Sequence, residues 1–281
     1  ITTGAGSDVR GVEADCQKDL TVINNTIQDI NVSIMTTNNI YGIWLNPASS
    51  GTNLNSGTIN IHGNTIKNLT NSGTTTTSGF AVGIASNNVD TSSVLNVYNN
   101  KISNILSNGS TTARAVGIGL YIATAPNAVI NMYNNMISNL SAPRATTNPS
   151  VRAIDVQNLG GNGRFNVYNN SSYLNNDVPP TIAAHYSTNM YWGNFGTATL
   201  DLRNNILVNT MSSQTGKAVN LYPSSNANYL RLDSTTNYNL YYVGAATDTT
   251  VGISWDAATL RKTLADHQAA VATGGIGGPR D

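Results

Sequence analysis

Apolar and polar residues alternate along this chain in short runs that return at a nearly fixed interval. In the segment Leu95–Ile105, apolar side chains at Leu95, Val97, Ile102 and Ile105 are separated by polar residues, several of them asparagine. Related segments share a marker asparagine, at Asn25, Asn64, Asn100, Asn135, Asn170, Asn205 and Asn239. Successive markers lie 39, 36, 35, 35, 35 and 34 residues apart. A repeat of this length indicates stacked supersecondary units.

Each repeat contains three short apolar runs, which in one copy are Leu95–Tyr98, Ile102–Ile105 and Ala115–Tyr121. Their period of two and their shortness favour strands over helices. Asn99 and Asn100 suit a tight bend, because asparagine tolerates a left-handed backbone. Three strands per turn, stacked turn on turn, predict an all-β fold, a right-handed parallel β-helix of about seven rungs.

The same alignment predicts the core and the ends of the solenoid. The inward positions are expected to be Leu95, Val97, Ile102, Ile105, Val116, Ile118 and their equivalents. We expect the β-helix to occupy residues 1–253 and to begin part-way through a rung, because Val9–Asp15 aligns with a third strand. This beginning predicts a preceding segment in a longer chain. Residues 254–281 are expected to form a helix from about Trp255 to Ala272, capped by Ser254, and a flexible glycine-rich tail.

Composition narrows the classes of function. Charged residues make up 10% of the chain and balance to a formal net charge of zero, while asparagine alone occurs 42 times. We therefore expect no nucleic-acid partner, since no basic stripe is present. The single Cys16 and three scattered histidines indicate no disulfide within the chain and no metal site, and no cofactor motif is found. No apolar run reaches the ~20 residues needed to span a bilayer.

The repeated form Asn-Val-Tyr-Asn-Asn-x-Ile-Ser-Asn resembles the right-handed parallel β-helix superfamily with the pectate-lyase-like fold. More narrowly, it is similar to repeat regions of large secreted surface proteins of Bacteroidetes-type bacteria. The resemblance covers about residues 9–243. It implies the fold, and it implies an extracellular or outer-cell-surface location. It leaves the activity open, because members of this superfamily include lyases, hydrolases, adhesins and passive stalks.

Two columns of asparagine are expected to run along the rod. The marker asparagines at the bends should form a hydrogen-bonded ladder that satisfies the turns. A second, outward column holds Asn60, Asn96, Asn131, Asn166 and, one rung further, Asp201. Besides supporting the sheet, this outer column is a candidate for binding sugar hydroxyl groups.

An aromatic column lies beside the outer asparagines. Tyr98, Tyr133 and Tyr168 should stack outward on the first strands, flanked by His62 and Arg203. Contacts of this kind stabilise a sheet. Together with Asn96, Asn131 and Asn166, the tyrosines are also candidate ligand-binding residues for a polysaccharide, offering rings to sugar faces and amides to hydroxyls. Trp44 and Tyr222 on the third strands are weaker candidates.

A third cluster is suggested by aligning the Arg-Ala-Val-Gly-Ile block of the third strands. This alignment places the following residues in one outward column: Glu13, Gly42, Gly83, Gly117, Asp155, His185 and Asn220. A neighbouring column then holds Arg10, Arg114, Arg152 and Lys217. A polysaccharide lyase needs a base and a cation that stabilises an enolate. Asp155 with His185 as base and Arg152 as charge stabiliser would supply them; scattered surface residues are the alternative.

These observations favour a non-catalytic module of a secreted or cell-surface protein: a stalk, an adhesin or a glycan-contacting rod. Its expected partner is a polysaccharide or another surface protein. One alternative is a lyase-type enzyme that acts on an acidic glycan through Asp155, His185 and Arg152. A second alternative is a purely structural rod that assembles end to end.

Overall fold

In a computed structural model of the chain, the repeats coil into a parallel β-solenoid of about six turns with three sheets. The structure describes residues 8–33, 39–46, 54–73, 79–122, 127–146, 148–157, 162–175, 180–182, 184–193, 196–212, 215–244 and 250–272. Each repeat contributes one strand to each sheet, and the strand pairs in parallel with its equivalent one turn away. The all-β solenoid is therefore confirmed, with roughly the expected number of rungs. The right-handed sense of the coil stays a prediction.

The strands of the three sheets are as follows. The first sheet contains Thr21–Ile23, Thr58–His62, Val94–Tyr98, Val129–Tyr133, Arg164–Tyr168 and Thr199–Arg203. The second contains Thr26–Val32, Thr65–Asn71, Lys101–Ser107, Met136–Ser141, Ser171–Leu174, Ile206–Asn209 and Leu240–Val243. The third contains Val9–Asp15, Ile40–Asn46, Phe80–Ser86, Arg114–Tyr121, Val151–Gln157, Tyr186–Gly193, Lys217–Pro223, Val251–Trp255 and Leu260–Arg261.

The core runs along the axis of the solenoid. Leu95 and Val97 of the first sheet are fully buried, as is Ile105 of the second. Leu95 pairs with Ile130 in the next rung, so that like residues stack in register. A one-residue slip would turn this whole set outward, which is why the alternating pattern specifies the register so strongly.

A left-handed residue followed by a buried asparagine makes the bend between the first and second sheets. Asn99 has a φ of 54°, and Asn134 has a φ of 56°. The Nδ2 of Asn100 donates to the Oδ1 of Asn135 at 3.0 Å, and the backbone N–H of Asn100 donates to the same oxygen at 3.1 Å. The pattern recurs along the marker asparagines from Asn25 to Asn239. The predicted ladder at the bends is confirmed.

Glycine interrupts the alternation in the third sheet. A Cβ on Gly117 would lie 2.7 Å from Ile137 Cγ2 and 2.5 Å from the carbonyl oxygen of Ala153, so this position points into the solenoid. Gly117 and Ile118 therefore both face inward, and Val116 turns to the outer surface, where it packs with Val82 and other residues. The predictions of an inward Val116 and of an outward glycine column were wrong, because the second-sheet isoleucine fills the space that a side chain would need.

The C-terminal end differs from the predicted long helix. Val251–Trp255 continues the third sheet, and Ser254 lies within this strand. The chain turns at Asp256, whose Oδ1 accepts from two backbone N–H groups, and then forms the antiparallel strand Leu260–Arg261. The helix spans only Leu264–Ala272. The expected glycine-rich tail lies outside the described residues.

Thr263 caps the C-terminal helix in place of Ser254. Its hydroxyl accepts from the backbone N–H of Asp266, and its own N–H donates to the Asp266 carboxylate, which is a reciprocal capping arrangement. Val271 joins the solenoid core, and His267 packs against the rings of Tyr229 and Tyr241. The helix therefore covers part of the last turn, as expected. A 3-10 helix at Asn226–Arg231 precedes it.

Candidate functional site

The outer side of the first sheet carries the predicted columns of asparagine and tyrosine in register. Asn96 pairs with Asn131, and Tyr98 pairs with Tyr133. We call this surface the amide–tyrosine face and define it by Asn60, Asn96, Asn131, Asn166, His62, Tyr98, Tyr133 and Tyr168. All eight residues are half-buried, with their backbones in strands and their side chains partly open to solvent.

The asparagines of the amide–tyrosine face form a continuous ladder. Asn96 donates to the Oδ1 of Asn60 at 2.9 Å, Asn131 donates to Asn96 at 2.8 Å, and Asn166 donates to Asn131 at 2.8 Å. Each donor lies one rung toward the C-terminus of its acceptor, whereas the ladder at the bends runs in the opposite direction. An amide has two N–H donors and an oxygen with two lone pairs. Asn96 and Asn131, within the ladder, therefore each retain an N–H and a lone pair for a ligand, whereas the Oδ1 of Asn166 already accepts from Arg164 and Tyr168.

The aromatic rings of the face stack on one another. The His62 and Tyr98 rings lie 4.4 Å apart with an interplanar angle of 7°, and the Tyr98 and Tyr133 rings lie 4.7 Å apart at 6°. Because neighbouring rings cover the two faces of Tyr98, its edge and hydroxyl point to solvent. The asparagine and tyrosine columns lie where the sequence predicted them. The stacked rings, however, present mostly their edges to a ligand, because their faces cover one another.

A buried carboxylate lies at the C-terminal end of this face. Asp201 is fully buried and accepts hydrogen bonds from Arg203, Tyr168 and Thr235, with Arg164 at 3.3 Å. Burial alone would raise the pKa of Asp201, but the hydrogen bonds from Arg203 and its other donors hold it below the usual value. Burial and the bond to Asp201 raise the pKa of Tyr168 to about 12. The face therefore ends in a stable, charge-compensated cluster.

Asp155 lies in a separate cluster on the outer side of the third sheet. Its Oδ2 accepts from Arg152 at 2.7 Å and from the hydroxyl of Tyr121 at 2.8 Å, and its Oδ1 accepts from Gln157 at 3.0 Å. The guanidinium of Arg152 also lies 3.9 Å from the centroid of the Tyr191 ring. Asp155 and Arg152 are 0% and 2% exposed. A buried carboxylate that already accepts three hydrogen bonds, one of them from a cation, is poorly placed to take a proton from a substrate.

Burial shapes the protonation of the groups around Asp155. Burial lowers the pKa of Arg114, and the nearby charge of Arg152 lowers it further. Burial opposes the charge of Arg152 as well, but the attraction of Asp155 outweighs it and raises the pKa of Arg152. The hydroxyl of Tyr121 has a pKa well above its usual value because of burial and the adjacent carboxylate. The raised pKa values of Arg152 and Tyr121 keep these two groups protonated.

The structure does not bring His185 beside Asp155. The residue that pairs with Asp155 in the next rung is Tyr191, and the one in the preceding rung is Gly119. His185 precedes the strand Tyr186–Gly193 and lies six residues before Tyr191. At ~3.3 Å per strand residue, six residues correspond to about 20 Å. The predicted pairing of Asp155 with His185 was therefore wrong.

The predicted column of cations is also divided. Arg152 pairs with Val116, in the same column as Arg10, which pairs with Tyr41. Lys217 pairs with Tyr186 instead, in the column that includes Arg114. The sequence pattern matched Arg114 with Arg152. In the structure the inward residues Ile118 and Ile154 pair instead, and this register places Arg152 opposite Val116.

His185 is itself enclosed. It is 1% exposed, and neither ring nitrogen has a hydrogen-bond partner among the residues that the structure describes. Burial lowers its pKa to about 4, so that the ring is neutral at pH 7. The lyase alternative needs His185 to act together with Asp155, and the described residues place no carboxylate against the His185 ring.

The outer side of the third sheet carries aromatic residues that are largely covered. Trp44 and Tyr222, the weaker candidates, are 5% and 4% exposed. The ring of Tyr222 stacks on Trp255 at 4.9 Å, and Trp255 stacks on Tyr186 at 5.5 Å. These rings are engaged with each other and present little free surface.

Sequence reasoning missed a third amide ladder, on the second sheet. It runs through Asn68, Asn104 and Asn139 and ends on Asp29. The signal was present in the sequence, since a polar residue recurs immediately before the last inward Ile or Leu of the second strands. The ladder was not predicted because strict alternation allows one outward residue between two inward residues, whereas these strands have two.

No known protein family, curated protein or solved structure matches the chain. Among the residues that the structure describes, no helix is long and apolar enough to cross a membrane. The fold and the geometry of its surfaces are therefore the basis for a functional proposal.

Proposed function

We propose that this chain is a non-catalytic β-helical module of a secreted or cell-surface protein, and that it contacts polysaccharide through the amide–tyrosine face. The observation that carries the proposal is the regular face itself. Amides repeat over four successive rungs and phenol hydroxyls over three, about 4.8 Å apart along the axis. This arrangement suits a polymer whose hydroxyl groups also repeat along its length.

The central part of the face favours a neutral or weakly charged partner. Asn96 and Asn131 are amides without a charge, and burial together with the neighbouring Tyr98 raises the pKa of Tyr133 above its usual value. Binding would therefore rely on hydrogen bonds and ring edges. The low overall charge and the resemblance to secreted surface repeats support the proposed location.

The geometry of the third sheet supports the non-catalytic part of the proposal. Asp155 is buried and accepts hydrogen bonds from Arg152, Tyr121 and Gln157, and His185 lies elsewhere. The lyase alternative would require the Asp155 cluster to open before it could act on a glycan. The end-to-end alternative is less well supported, because the helix Leu264–Ala272 and the strand Leu260–Arg261 pack on the last turn.

The test is affinity electrophoresis of the purified chain in gels that contain single neutral or acidic polysaccharides. We expect the chain to be retarded by at least one polymer, and the double variant Tyr98→Ala, Tyr133→Ala to lose most of the retardation. The matched control is Tyr173→Ala, Tyr242→Ala, which removes two exposed tyrosines from the second sheet. Equal retardation of the face variant and the wild type, or no retardation by any polymer, would show that the face is not a glycan-binding surface.

A further inference from the structure

A groove follows the third amide ladder along the outer side of the second sheet. It encloses about 340 Å³ and is lined by residues that include Asn68, Asn104, Asn139, Thr70, Leu106 and Asn175. Small-molecule sites commonly enclose ~300–1,000 Å³. The volume is therefore sufficient for a short segment of ligand, of about disaccharide size.

A local break in each strand accompanies the groove. Asn68, Asn104 and Asn139 have φ values of 56°, 55° and 53°, which is left-handed backbone within a strand. An extra residue of this kind bends a strand and redirects its side chain. In the next rung, Ser171–Leu174 has no residue with positive φ, and Asn175 follows it at that end of the groove.

The groove has one polar wall. Asn104 donates to the Oδ1 of Asn68 at 2.9 Å, and Asn139 donates to Asn104 at 3.2 Å. Because the ladder uses one N–H and one lone pair of Asn104, its other N–H and lone pair remain for a ligand. Asn104 is exposed, and Asn68 and Asn139 are half-buried, so the ligand can reach them.

The rest of the lining restricts the chemistry of the ligand. Leu106 is half-buried and gives an apolar contact, while Thr70 adds a hydroxyl. All the described residues that line the groove are uncharged. An ionic ligand would lose hydration here without gaining an opposite charge, whereas a neutral ligand would lose much less.

We propose that this groove binds a neutral oligosaccharide segment that runs parallel to the axis of the rod. Amide groups repeated at each rung hydrogen-bond the sugar hydroxyls, and Leu106 contacts the apolar C–H side of a sugar ring. The site lies on a different sheet from the amide–tyrosine face. The inference extends the proposed glycan-binding function, but it can succeed or fail independently of that face.

The test is calorimetric titration of the whole chain with neutral tetrasaccharides built from glucose, mannose, xylose or N-acetylglucosamine. The groove variant is Asn104→Gly, Asn139→Gly, because glycine removes the amide yet accepts the left-handed backbone. The matched control is Asn99→Gly, Asn134→Gly. These residues are exposed asparagines with φ values of 54° and 56°, in the same two rungs but at the bends.

We expect at least one tetrasaccharide to bind, with Kd raised tenfold or more in the groove variant, equivalent to about 1.4 kcal/mol. The control and the variant Tyr98→Ala, Tyr133→Ala should bind as the wild type does. Unchanged binding by the groove variant, or no tetrasaccharide binding by the wild type, would overturn the groove. Loss only in the tyrosine variant would also overturn the groove, while supporting the amide–tyrosine face.

Discussion

The bend ladder makes a quantitative prediction about stability, and Asn135 is the residue to change. Asn135 is fully buried. Its Nδ2 donates to Asn170 Oδ1 at 2.9 Å and to the carbonyl of Val97 at 2.8 Å, and its Oδ1 accepts from the backbone N–H and the Nδ2 of Asn100. Asn135→Ala removes all four hydrogen bonds and leaves the backbone conformation accessible.

The expected cost follows from which groups lose a partner. The Nδ2 of Asn100 still donates to the carbonyl of Ile61, and the Oδ1 of Asn170 still accepts from the backbone N–H of residue 135. The buried N–H of Asn100 is left without a partner, which costs about 1–3 kcal/mol, and the carbonyl of Val97 loses one donor, which costs about 0.5–1.5 kcal/mol. The free energy of unfolding should therefore fall by about 1.5–4.5 kcal/mol.

Urea denaturation monitored by circular dichroism measures this change. The matched control is Asn25→Ala at the N-terminal end of the same ladder. Asn25 is half-buried and donates to Asn64 Oδ1 and to the carbonyl of Ile23, where water can take its place. We expect the control to cost about 0.5–1.5 kcal/mol. If Asn135→Ala destabilises the chain no more than Asn25→Ala does, the ladder is not a main source of stability.

Three further predictions concern the third sheet and its surroundings. Gly117→Ala places a methyl group against a backbone carbonyl and should cost about 1–3 kcal/mol in urea denaturation, whereas Gly196→Ala, with open space around it, should be nearly neutral; equal effects would contradict the packing. Asp155→Ala leaves Arg152 buried without its partner and should lower the free energy of unfolding by about 3–5 kcal/mol. If the variant melts at the same temperature as the wild type, the ion pair is not buried as described. Burial lowers the pKa of His185 to about 4, against ~6.5 in the unfolded chain, which therefore binds the proton more tightly. The free energy of unfolding is therefore unaffected by this group above about pH 6.5, and it falls by roughly 3 kcal/mol as the pH drops from 6.5 toward 4. His185→Gln should flatten this dependence in denaturation curves at pH 7 and 4.5, and an unchanged slope would contradict it.

The first sheet and the inward positions of the second sheet could be predicted from the sequence. The strands of the first sheet alternate regularly, and the bend asparagine marks the register without gaps from Asn25 to Asn239. The left-handed residues Asn68, Asn104 and Asn139, which interrupt the alternation in the second sheet, were not predicted. Because a one-residue slip would expose the whole core face, the pattern leaves only one consistent stacking. The columns of Asn96 and Tyr98 followed directly from this register.

The third sheet could not be aligned so securely. Its glycine position makes two consecutive residues face inward, so the alternation has no single phase. The marker also changes along the rod: the position of Gly117 becomes Ala153 and then Asn189. Asn189 is accommodated where the inward isoleucine column of the second sheet changes from Ile137 to Ser172, whose Oγ accepts from Asn189 at 2.8 Å. This exchange depends on contacts between sheets, which the pattern of one strand does not contain.

The positions of the candidate site residues could be predicted from the sequence, but the orientations and contacts of their side chains could not. The sequence placed the tyrosines in one outward column, but the spacing alone did not show that Tyr98 and Tyr133 would stack at 4.7 Å and cover each other's faces. Ring orientation depends on side-chain torsion angles, which neighbouring rungs decide. Likewise, the hydrogen bonding of Asp155 depends on Tyr121, one rung away.

The most direct test of the non-catalytic binding function follows binding and turnover in the same samples. The purified chain is incubated with a panel of neutral and uronic-acid polysaccharides, and retention of the chain and absorbance of unsaturated products are recorded together. The proposed function predicts retention on at least one polymer without any rise in absorbance. A rise in absorbance that Asp155→Asn abolishes, in a variant shown to remain folded, would contradict it and assign lyase chemistry to the third sheet.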